Sequence, residues 1–328
     1  MRKDYEKTSL RNPLLLLLTA AIWGAAFVAQ SVGMDYVEPF TFIFTKSIIG
    51  GIVLLPCIAF LDGQKSRESV SFTQKRKKDE LPGKEERTNC AEPAGDQNKD
   101  RRILALGGVC CGAALFVASS LQQIGIQYTT VGKAGFITAM YIILVPVFGI
   151  FRKKKVGAKI WFCVLLAAAG LYLLCMTEGV VIGGGDLLML LCAAVFAVHI
   201  LVIDHFSPLT DGVRMSCIQF FVCGLLSGVG MLLFETPSLH SVLQAWLPIG
   251  YAGVLSCGVA YTLQIVAQKG MDPTVASLIL SMESVFSVLS GWLLLGQSLA
   301  PRELSGCVLM FAAIILAQLP EKRKSNVK

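Results

Sequence analysis

Long charge-free stretches dominate the chain. Two windows carry one charge each, 39–61 with Lys46 and 273–301 with Glu283. Eight further windows contain no Asp, Glu, Lys or Arg: 12–34, 103–132, 134–151, 160–177, 187–203, 215–234, 236–268 and 304–320. Each window can supply the roughly 20 apolar residues of helix that cross a hydrocarbon core of ~30 Å. The pattern predicts an all-α integral membrane protein with ten transmembrane helices, named spans 1 to 10 in chain order.

The composition agrees with a membrane protein. Hydrophobic residues make up 54% of the 328 residues and charged residues 16%, with a mean hydropathy of +0.65. Ordinary soluble domains carry charge on about a quarter of their residues. Apolar runs such as 14–18 and 187–191 do not alternate with polar residues, as the strands of a membrane β-barrel would. A helical bundle in the membrane is therefore the predicted fold class.

One segment departs from this pattern. Residues 62–102 hold 20 of the 51 charged residues, 11 basic and 9 acidic, together with two prolines and few aromatic residues. Such a segment cannot bury enough apolar surface to offset the entropy of ordering it. The sequence predicts a disordered charged loop between spans 2 and 3.

The basic residues predict the orientation. With ten spans, one face of the membrane collects 26 Lys and Arg residues, including eleven in the 62–102 loop, and the other face collects Lys133 and Arg302. Loops rich in Lys and Arg stay in the cytoplasm. Both termini, including the tail 321–328, are therefore predicted to be cytoplasmic. The net charge of +7 is explained by this topology, so no nucleic-acid partner is expected.

Cysteine and histidine give no indication of a metal or another cofactor. Ten of the eleven cysteines lie in apolar windows, none forms a CxxC pair, and the three histidines show no ligand spacing. In lipid such cysteines act as small apolar residues. We expect no bound cofactor and no metal.

The two halves of the chain align with each other. At an offset of 173 residues, the segment 20–24 (AAIWG) aligns with 193–197 (AAVFA), and Lys46 aligns with Gln219. Across span 3 the offset is 142 and pairs Gln122 with Gln264, and near the end an offset of 144 pairs 163–165 with 307–309. The offset falls after the charged loop 62–102 because this loop is about 31 residues longer than its counterpart in the second half. Five spans are an odd number, so the second copy would enter the membrane from the opposite side, as in transporters built from inverted repeats.

Three segments carry a resemblance to a known family: residues 14–56, beginning LLLLLTAAIWGAAF, residues 120–147, beginning SLQQIGIQYTT, and residues 273–296, beginning PTVASLILSMES. They resemble the drug/metabolite transporter superfamily, in its ten-helix EamA branch. The Trp-Gly pair of span 1 and the Glu of span 9 stand at the family's familiar places. This sequence departs from the pattern at Lys46, where many relatives have Arg, and in its long loop after span 2.

The resemblance implies ten helices around a central cavity lined by spans 1, 3, 4, 6, 8 and 9. The first repeat would consist of 12–61 and 103–177, separated by the loop 62–102, and the second repeat of 185–320. Members carry amino acids, metabolites, sugar nucleotides or drugs, often outwards. The implied protein is a multi-pass transporter of the bacterial cytoplasmic membrane, acting as a monomer or homodimer.

Lys46 and Glu283 are the two formal charges deep within the predicted spans. A charge at the bilayer centre costs ~2.5–3.5 kcal/mol or more, so each should face a cavity or a partner. Helical rise places Lys46 about 11 Å from the outer face and Glu283 about 15 Å from the inner face. Three roles stay open: a structural ion pair between them, a contact with the substrate, and proton coupling through Glu283.

Other polar and aromatic side chains in the spans are further candidates for substrate binding. Trp23, Phe27 and Gln30 share one face of span 1, which suits an amphipathic ligand or helix packing equally well. Gln122 and Gln264 fall near opposite ends of spans 3 and 8, where they would gate the cavity or join helices through hydrogen bonds. His199 in span 6 could titrate or serve as a packing residue.

Enzyme classes find little support. The segment 183–186 (GGGD) matches the GxGD of intramembrane aspartyl proteases, but that chemistry needs a second aspartate within a neighbouring span, and the spans contain none. No HExxH, GxSxG or P-loop sequence is present. The predicted function is therefore a secondary transporter of a small polar or amphipathic metabolite, with a membrane scaffold or receptor as the alternative and an intramembrane enzyme third.

Overall fold

The computed structural model describes residues 2–79, 94–129, 131–151, 156–175, 183–295 and 300–319. Within these ranges the backbone is helical and contains no β-strand. The α-helices are α1 (Arg2–Gly33), α2 (Pro39–Asp79), α3 (Ala94–Gly125), α4 (Val131–Ala139), α5 (Tyr141–Phe151), α6 (Ala158–Cys175), α7 (Gly184–Phe206), α8 (Gly212–Phe234), α9 (Leu239–Gln244), α10 (Trp246–Gly250), α11 (Thr262–Gln268), α12 (Pro273–Leu280), α13 (Glu283–Leu295) and α14 (Pro301–Gln318). A 3-10 turn covers Ile126–Tyr128, and a π-helical segment covers Tyr251–Tyr261.

The membrane spans predicted from hydropathy correspond to these helices. Among the described residues, nine helical stretches are long and apolar enough to cross a membrane. Span 4 consists of α4 and α5, span 8 of α10, the π-helical segment and α11, and span 9 of α12 and α13. Predicted span 5 corresponds to a shorter apolar helix, Ala158–Leu173 within α6. The all-helical membrane fold is confirmed, whereas the count of ten spans stays a prediction.

Helical backbone occurs at both ends of the charged segment 62–102. Helix α2 continues to Asp79 and α3 already begins at Ala94, so helical backbone extends into the segment from each side. Once a helix exists, each added residue gains one backbone hydrogen bond, and Lys, Arg and Gln are good helix formers. Residues 80–93 lie outside the described ranges, and the disorder of the segment stays a prediction. The tail 321–328 also lies outside them.

Aspartate side chains define where two spans begin. The Asp211 carboxylate accepts hydrogen bonds from the backbone N–H groups of Val213 and Arg214 at 3.1 and 3.2 Å, at the start of α8. Asp272 does the same at the start of α12, where Pro273 occupies the first turn. Both are N-cap arrangements that satisfy backbone donors lacking a partner within the helix.

Helices α2 and α8 pack antiparallel and are joined at both ends. At one end the Glu235 carboxylate accepts the backbone N–H groups of Phe40 and Thr41, at 2.6 and 2.7 Å. At the other end Arg214 forms an ion pair with Asp62 at 2.7 Å. We call the end of the bundle with this ion pair the N-terminal side, because α1 begins there.

Glycines allow the helices of the bundle to approach closely. A Cβ atom at Gly108 or Gly112 of α3 would lie 2.5 or 2.6 Å from Ile218 or Val222 of α8. At Gly224 of α8 it would lie 2.9 Å from Ile48 of α2. Small residues at such close contacts are typical of helix packing in membranes.

The pairing of helices is the same for the two halves. Span 1 packs against spans 8 and 9, and span 6 packs against spans 3 and 4. Span 2 packs against span 8, and span 7 packs against span 3. Spans 2 and 7 contact each other, as do α6 and α14. Exchanging each span with its predicted repeat equivalent leaves this set of contacts unchanged, which is the pairing expected of two related halves.

Candidate functional site

A small cavity lies between spans 1, 2, 3, 4, 6, 8 and 9. Its volume is about 40 Å³. A buried water needs roughly 10–15 Å³, so the cavity has room for water but is small for a metabolite. It is lined by Trp23, Ala26, Phe27, Gln30, Lys46, Gln122, Thr138, Tyr141, Phe196, Ile200, Ser256, Tyr261, Gln264, Leu280 and Glu283. Seven of the eight candidate residues from the sequence line it, and His199 does not.

The α1 candidates form one wall of the cavity. Trp23, Phe27 and Gln30 all line it, because their spacing places them on one helix face. The Trp23 ring packs against Tyr261 of span 8, with the ring centroids 4.5 Å apart. The Trp23 indole N–H has no hydrogen-bond partner among the described residues. This wall therefore combines aromatic surface with free hydrogen-bonding capacity.

Lys46 brings a basic group to the cavity from span 2, which the family resemblance did not list among the lining spans. Its side chain is 8% exposed, and Nζ lies 5.4 Å from the centre of the Phe42 ring. Within the described part of the chain, the structure places no carboxylate within 4.0 Å of Nζ. Isolated buried ammonium groups are costly unless an anion or hydrogen-bonding groups compensate them. The Phe42 ring supplies a cation–π contact, which is weak.

Glu283 faces the cavity from span 9. Its carboxylate accepts a hydrogen bond of 2.9 Å from the Tyr141 hydroxyl of span 4, and the side chain is 4% exposed. Glu283 is the first residue of α13, where backbone N–H groups and the helix dipole favour a negative charge. Glu283 and Lys46 therefore line one cavity without forming a direct ion pair in the described structure.

The two glutamines predicted near opposite membrane faces line the same cavity. Gln122 and Gln264 are 7% and 1% exposed. The Gln264 Oε1 atom has no hydrogen-bond partner among the described residues, and neither do the two side-chain amide atoms of Gln268, one turn further along α11. Leaving a buried polar group without a partner costs about 1–3 kcal/mol. Several such groups near one cavity are typical of a site that binds polar ligands or water.

His199 lies behind the cavity wall, fully buried. Its Nε2 atom lies 3.1 Å from Gln219 Oε1 on α8, and its ring makes edge contacts with Phe196 and Tyr261, both of which line the cavity. His199 Nδ1 and Gln219 Nε2 have no partner among the described residues. The structure therefore puts His199 next to the cavity residues but not among them.

Several lining residues were not singled out in the sequence, and the repeat offsets relate some of them to the candidate residues. The offset of 173 relates Phe196 to Trp23 and Ile200 to Phe27. The offset of 142 relates Leu280 to Thr138 and Glu283 to Tyr141. Together with Gln122 and Gln264, these form five equivalent pairs in which both members line the cavity. Tyr261 and Ser256 carry no such signal.

Tyr141 and Glu283 stand at equivalent breaks in spans 4 and 9. Helix α4 ends at Ala139 and α5 begins at Tyr141, while α12 ends at Leu280 and α13 begins at Glu283. These two predicted equivalents also touch each other, so the breaks in spans 4 and 9 meet at the cavity. Broken helices at such a cavity are typical of transporter binding sites.

Comparisons with known proteins agree with this architecture. The model of the EamA-like transporter family matches residues 11–176 and 183–319. A protein of Archaeoglobus fulgidus described as an uncharacterized transporter is 28% identical over 310 residues, which cover 93% of this chain and 84% of that protein. A solved crystal structure shares the fold with a TM-score of 0.68 at 16% identity, covering 93% of this chain and 96% of the other.

The family match covers nearly all of the described helices. It agrees with the observed arrangement of apolar helices around a cavity that contains polar side chains. It directs the functional interpretation to transport rather than catalysis. This chain therefore belongs to the EamA-like transporter family, within the drug/metabolite transporter superfamily.

Proposed function

We propose that the protein is a secondary-active exporter of a small amphipathic metabolite that carries an anionic group, such as an amino acid. The observation that carries the proposal is Lys46, a buried basic side chain that lines the cavity with no carboxylate within ion-pair distance in the described structure. A substrate carboxylate would supply the missing counter-charge through a charge-assisted hydrogen bond.

The remaining walls suit the other parts of such a substrate. Trp23, Phe27 and Phe196 offer apolar surface, while Gln30 and Gln122 offer amide donors and acceptors. Predominantly apolar walls with a few polar groups are typical of small-molecule sites. The volume of about 40 Å³ is too small for a metabolite, so substrate entry requires the helices to move apart.

Glu283 is the proposed site for a coupling proton. Its carboxyl group is buried, bonded to Tyr141 and close enough to the cavity to line it. An acidic residue in a membrane span is a common element of proton pathways in transporters. Because no ATP-binding motif occurs in the sequence, transport against a gradient would use an ion gradient or exchange.

The proposal includes the topology and location expected from the sequence. Ten spans form two inverted repeats, both termini face the cytoplasm, and the protein resides in a bacterial cytoplasmic membrane. The protein acts as a monomer or a homodimer, and a homodimer would contain two such cavities. Accessibility of terminal tags in intact cells tests the topology, and a C-terminal tag reachable from outside would refute it.

Counterflow in proteoliposomes tests the transport function. Vesicles loaded with unlabelled compound are diluted into the labelled form, using L-amino acids, simple monocarboxylates and uncharged analogues of each. We expect exchange of at least one carboxylate-bearing compound and of none of the uncharged analogues. The variant Lys46→Met should lose this exchange while remaining folded.

Two outcomes would contradict the proposal. Exchange of the uncharged analogues at the same rate would remove the anion-binding role of Lys46. No exchange of any compound by a folded sample would favour the alternative of a non-transporting scaffold or receptor.

A further inference from the structure

A second polar pair lies at the position equivalent to the Lys46 site. The offset of 173 that relates spans 1 and 2 to spans 6 and 7 pairs Ala26 with His199 and Lys46 with Gln219. Ala26 and Lys46 both line the cavity, whereas their equivalents are fully buried behind it and bonded to each other. The two halves thus use equivalent positions in different ways in this conformation.

The pair has unused hydrogen-bonding capacity. Because an amide oxygen only accepts hydrogen bonds, His199 Nε2 is the donor to Gln219 Oε1, and Nδ1 of the neutral ring is then an acceptor. Nδ1 and the Gln219 amide nitrogen have no partner among the described residues. The pair thus has one free acceptor and one free donor, which suit an uncharged polar group such as a hydroxyl or a carboxamide.

The pair lies nearer to the N-terminal side than Lys46 does. Gly51 of α2 packs against Phe221 of α8, and Gly228 of α8 packs against Phe44 of α2, so Lys46 is level with about residue 226. Gln219 is seven residues from that level, or about 10 Å along the bundle.

Further groups without partners continue in the same direction. Helix α7 ends beside Gly107, near the start of span 3, where Gly107 approaches Phe206. The Ser207 hydroxyl there has no partner among the described residues. The side chain of Gln268, at the end of α11, also lacks partners within that part of the chain. Several buried polar groups without described partners therefore lie on the N-terminal side of the cavity.

Inverted repeats exchange conformations when a transporter alternates between its two openings. Residues equivalent to those that line the cavity in one state then line it in the other. We propose that His199 and Gln219 form a second substrate-binding station, which binds an uncharged polar group of the substrate when the cavity opens to the N-terminal side. The inference rests on the proposed transport function and adds a site to it.

The test compares the two sides of the membrane. The double variant His199→Leu with Gln219→Met removes both polar groups and leaves apolar side chains of similar size. The probe is the labelled L-amino acid with the largest counterflow, in proteoliposomes whose orientation is determined by protease cleavage of an N-terminal tag. Half-saturation concentrations are measured separately for each side.

We expect the half-saturation concentration to rise about fivefold or more from the N-terminal side and to stay within about twofold from the other side. A matched control removes another hydrogen-bonded pair, Ser216 of α8 and Thr262 of α11, whose hydroxyl groups lie 2.8 Å apart. Ser216→Ala with Thr262→Val should change neither side by more than about twofold.

A second variant covers the event that the double variant does not fold. His199→Gln retains a donor towards Gln219 and removes the Nδ1 acceptor, so we expect a rise of about two- to threefold from the N-terminal side alone. The inference would be overturned if the half-saturation concentration rose equally on both sides, rose on the other side alone, or stayed unchanged in folded protein. Absence of counterflow by the wild type would refute the proposed function and this inference together, whereas the preceding outcomes refute the inference alone.

Discussion

The first and second halves of the molecule share their helix pairings but differ in the groups they bring to the cavity. The first half contributes the basic Lys46, and its second-half equivalent is the neutral Gln219. The second half contributes the acidic Glu283, and its first-half equivalent is Tyr141. Each of these two ionisable groups is thus present in one half alone. The helix pairings agree with the predicted repeat, whereas the ionisable side chains at the cavity differ between its two copies. A site with both groups requires both halves.

The halves also differ in the backbone of spans 3 and 8, the second of which packs against the helix of Lys46. Helix α3 is α-helical from Ala94 to Gly125, whereas its equivalent in span 8 contains the π-helical segment Tyr251–Tyr261. Gly253 of that segment approaches Ile49 and the Lys46 carbonyl, and a Cβ there would lie 2.7 and 3.1 Å from them. π-Helical turns are rare and occur frequently at functional sites.

Removing the positive charge of the first half should have the largest effect. Lys46→Gln makes the two halves alike at this position, and we expect the rate of substrate exchange to fall by about 10- to 100-fold, because a charge-assisted hydrogen bond to the substrate is lost. The measurement is counterflow at low substrate concentration. The control Arg214→Gln removes an ion pair whose side chains are 45% and 46% exposed, and should leave exchange within about twofold. Unchanged exchange in Lys46→Gln would contradict the assignment.

Neutralising the acidic group of the second half should separate coupling from exchange. Glu283→Gln keeps an oxygen that accepts the Tyr141 hydrogen bond, so we expect a folded protein that exchanges substrate but no longer accumulates it with a proton gradient. Tyr141→Phe leaves the carboxyl group without its donor and should lower stability by about 1–2 kcal/mol. Gradient-driven accumulation and thermal unfolding are the measurements. Accumulation by Glu283→Gln at the wild-type level would exclude the coupling role.

Crowding the π-helical segment should test the backbone difference. Gly253→Ala places a methyl group against Ile49, and we expect a loss of about 1–3 kcal/mol in stability. Gly250→Ala is the matched control in the same span, because a Cβ there meets nothing within 4 Å, and it should stay within about 0.5 kcal/mol. Thermal unfolding of the purified variants measures both. Equal stability of the two variants would contradict the prediction, because it would show that Ile49 can move to accommodate the added methyl group.

Shortening the first half to the length of the second should have the smallest effect. Deleting residues 64–97 removes most of the segment that lacks a second-half counterpart, and we expect stability to change by no more than about 0.5 kcal/mol and exchange by no more than about twofold. The reason is that the segment is polar and contains no long apolar stretch to pack into the bundle. Loss of folding on deletion would reveal a structural role for this part of α2 and α3.

The sequence by itself determined the class of fold and most of the candidate site. Apolar windows of the length that crosses a membrane leave the helix as the structure that satisfies their backbone. Because a buried charge must face a cavity or a partner, Lys46 and Glu283 could be identified without coordinates. The periodicity of span 1 likewise placed Trp23, Phe27 and Gln30 on one face. Local chemistry and helical geometry suffice for these inferences.

The tertiary structure alone decided which groups meet. The Tyr141–Glu283 hydrogen bond joins residues 142 positions apart, and the His199–Gln219 pair joins two helices whose relative rotation no local pattern specifies. The π-helical segment and the breaks within spans 4 and 9 depend on how neighbouring helices pack. Whether Lys46 and Glu283 form a direct ion pair depended on the distance between their charged groups across the bundle. Such distances follow from close packing of many side chains at once, and sequence spacing within one helix contains no information about them.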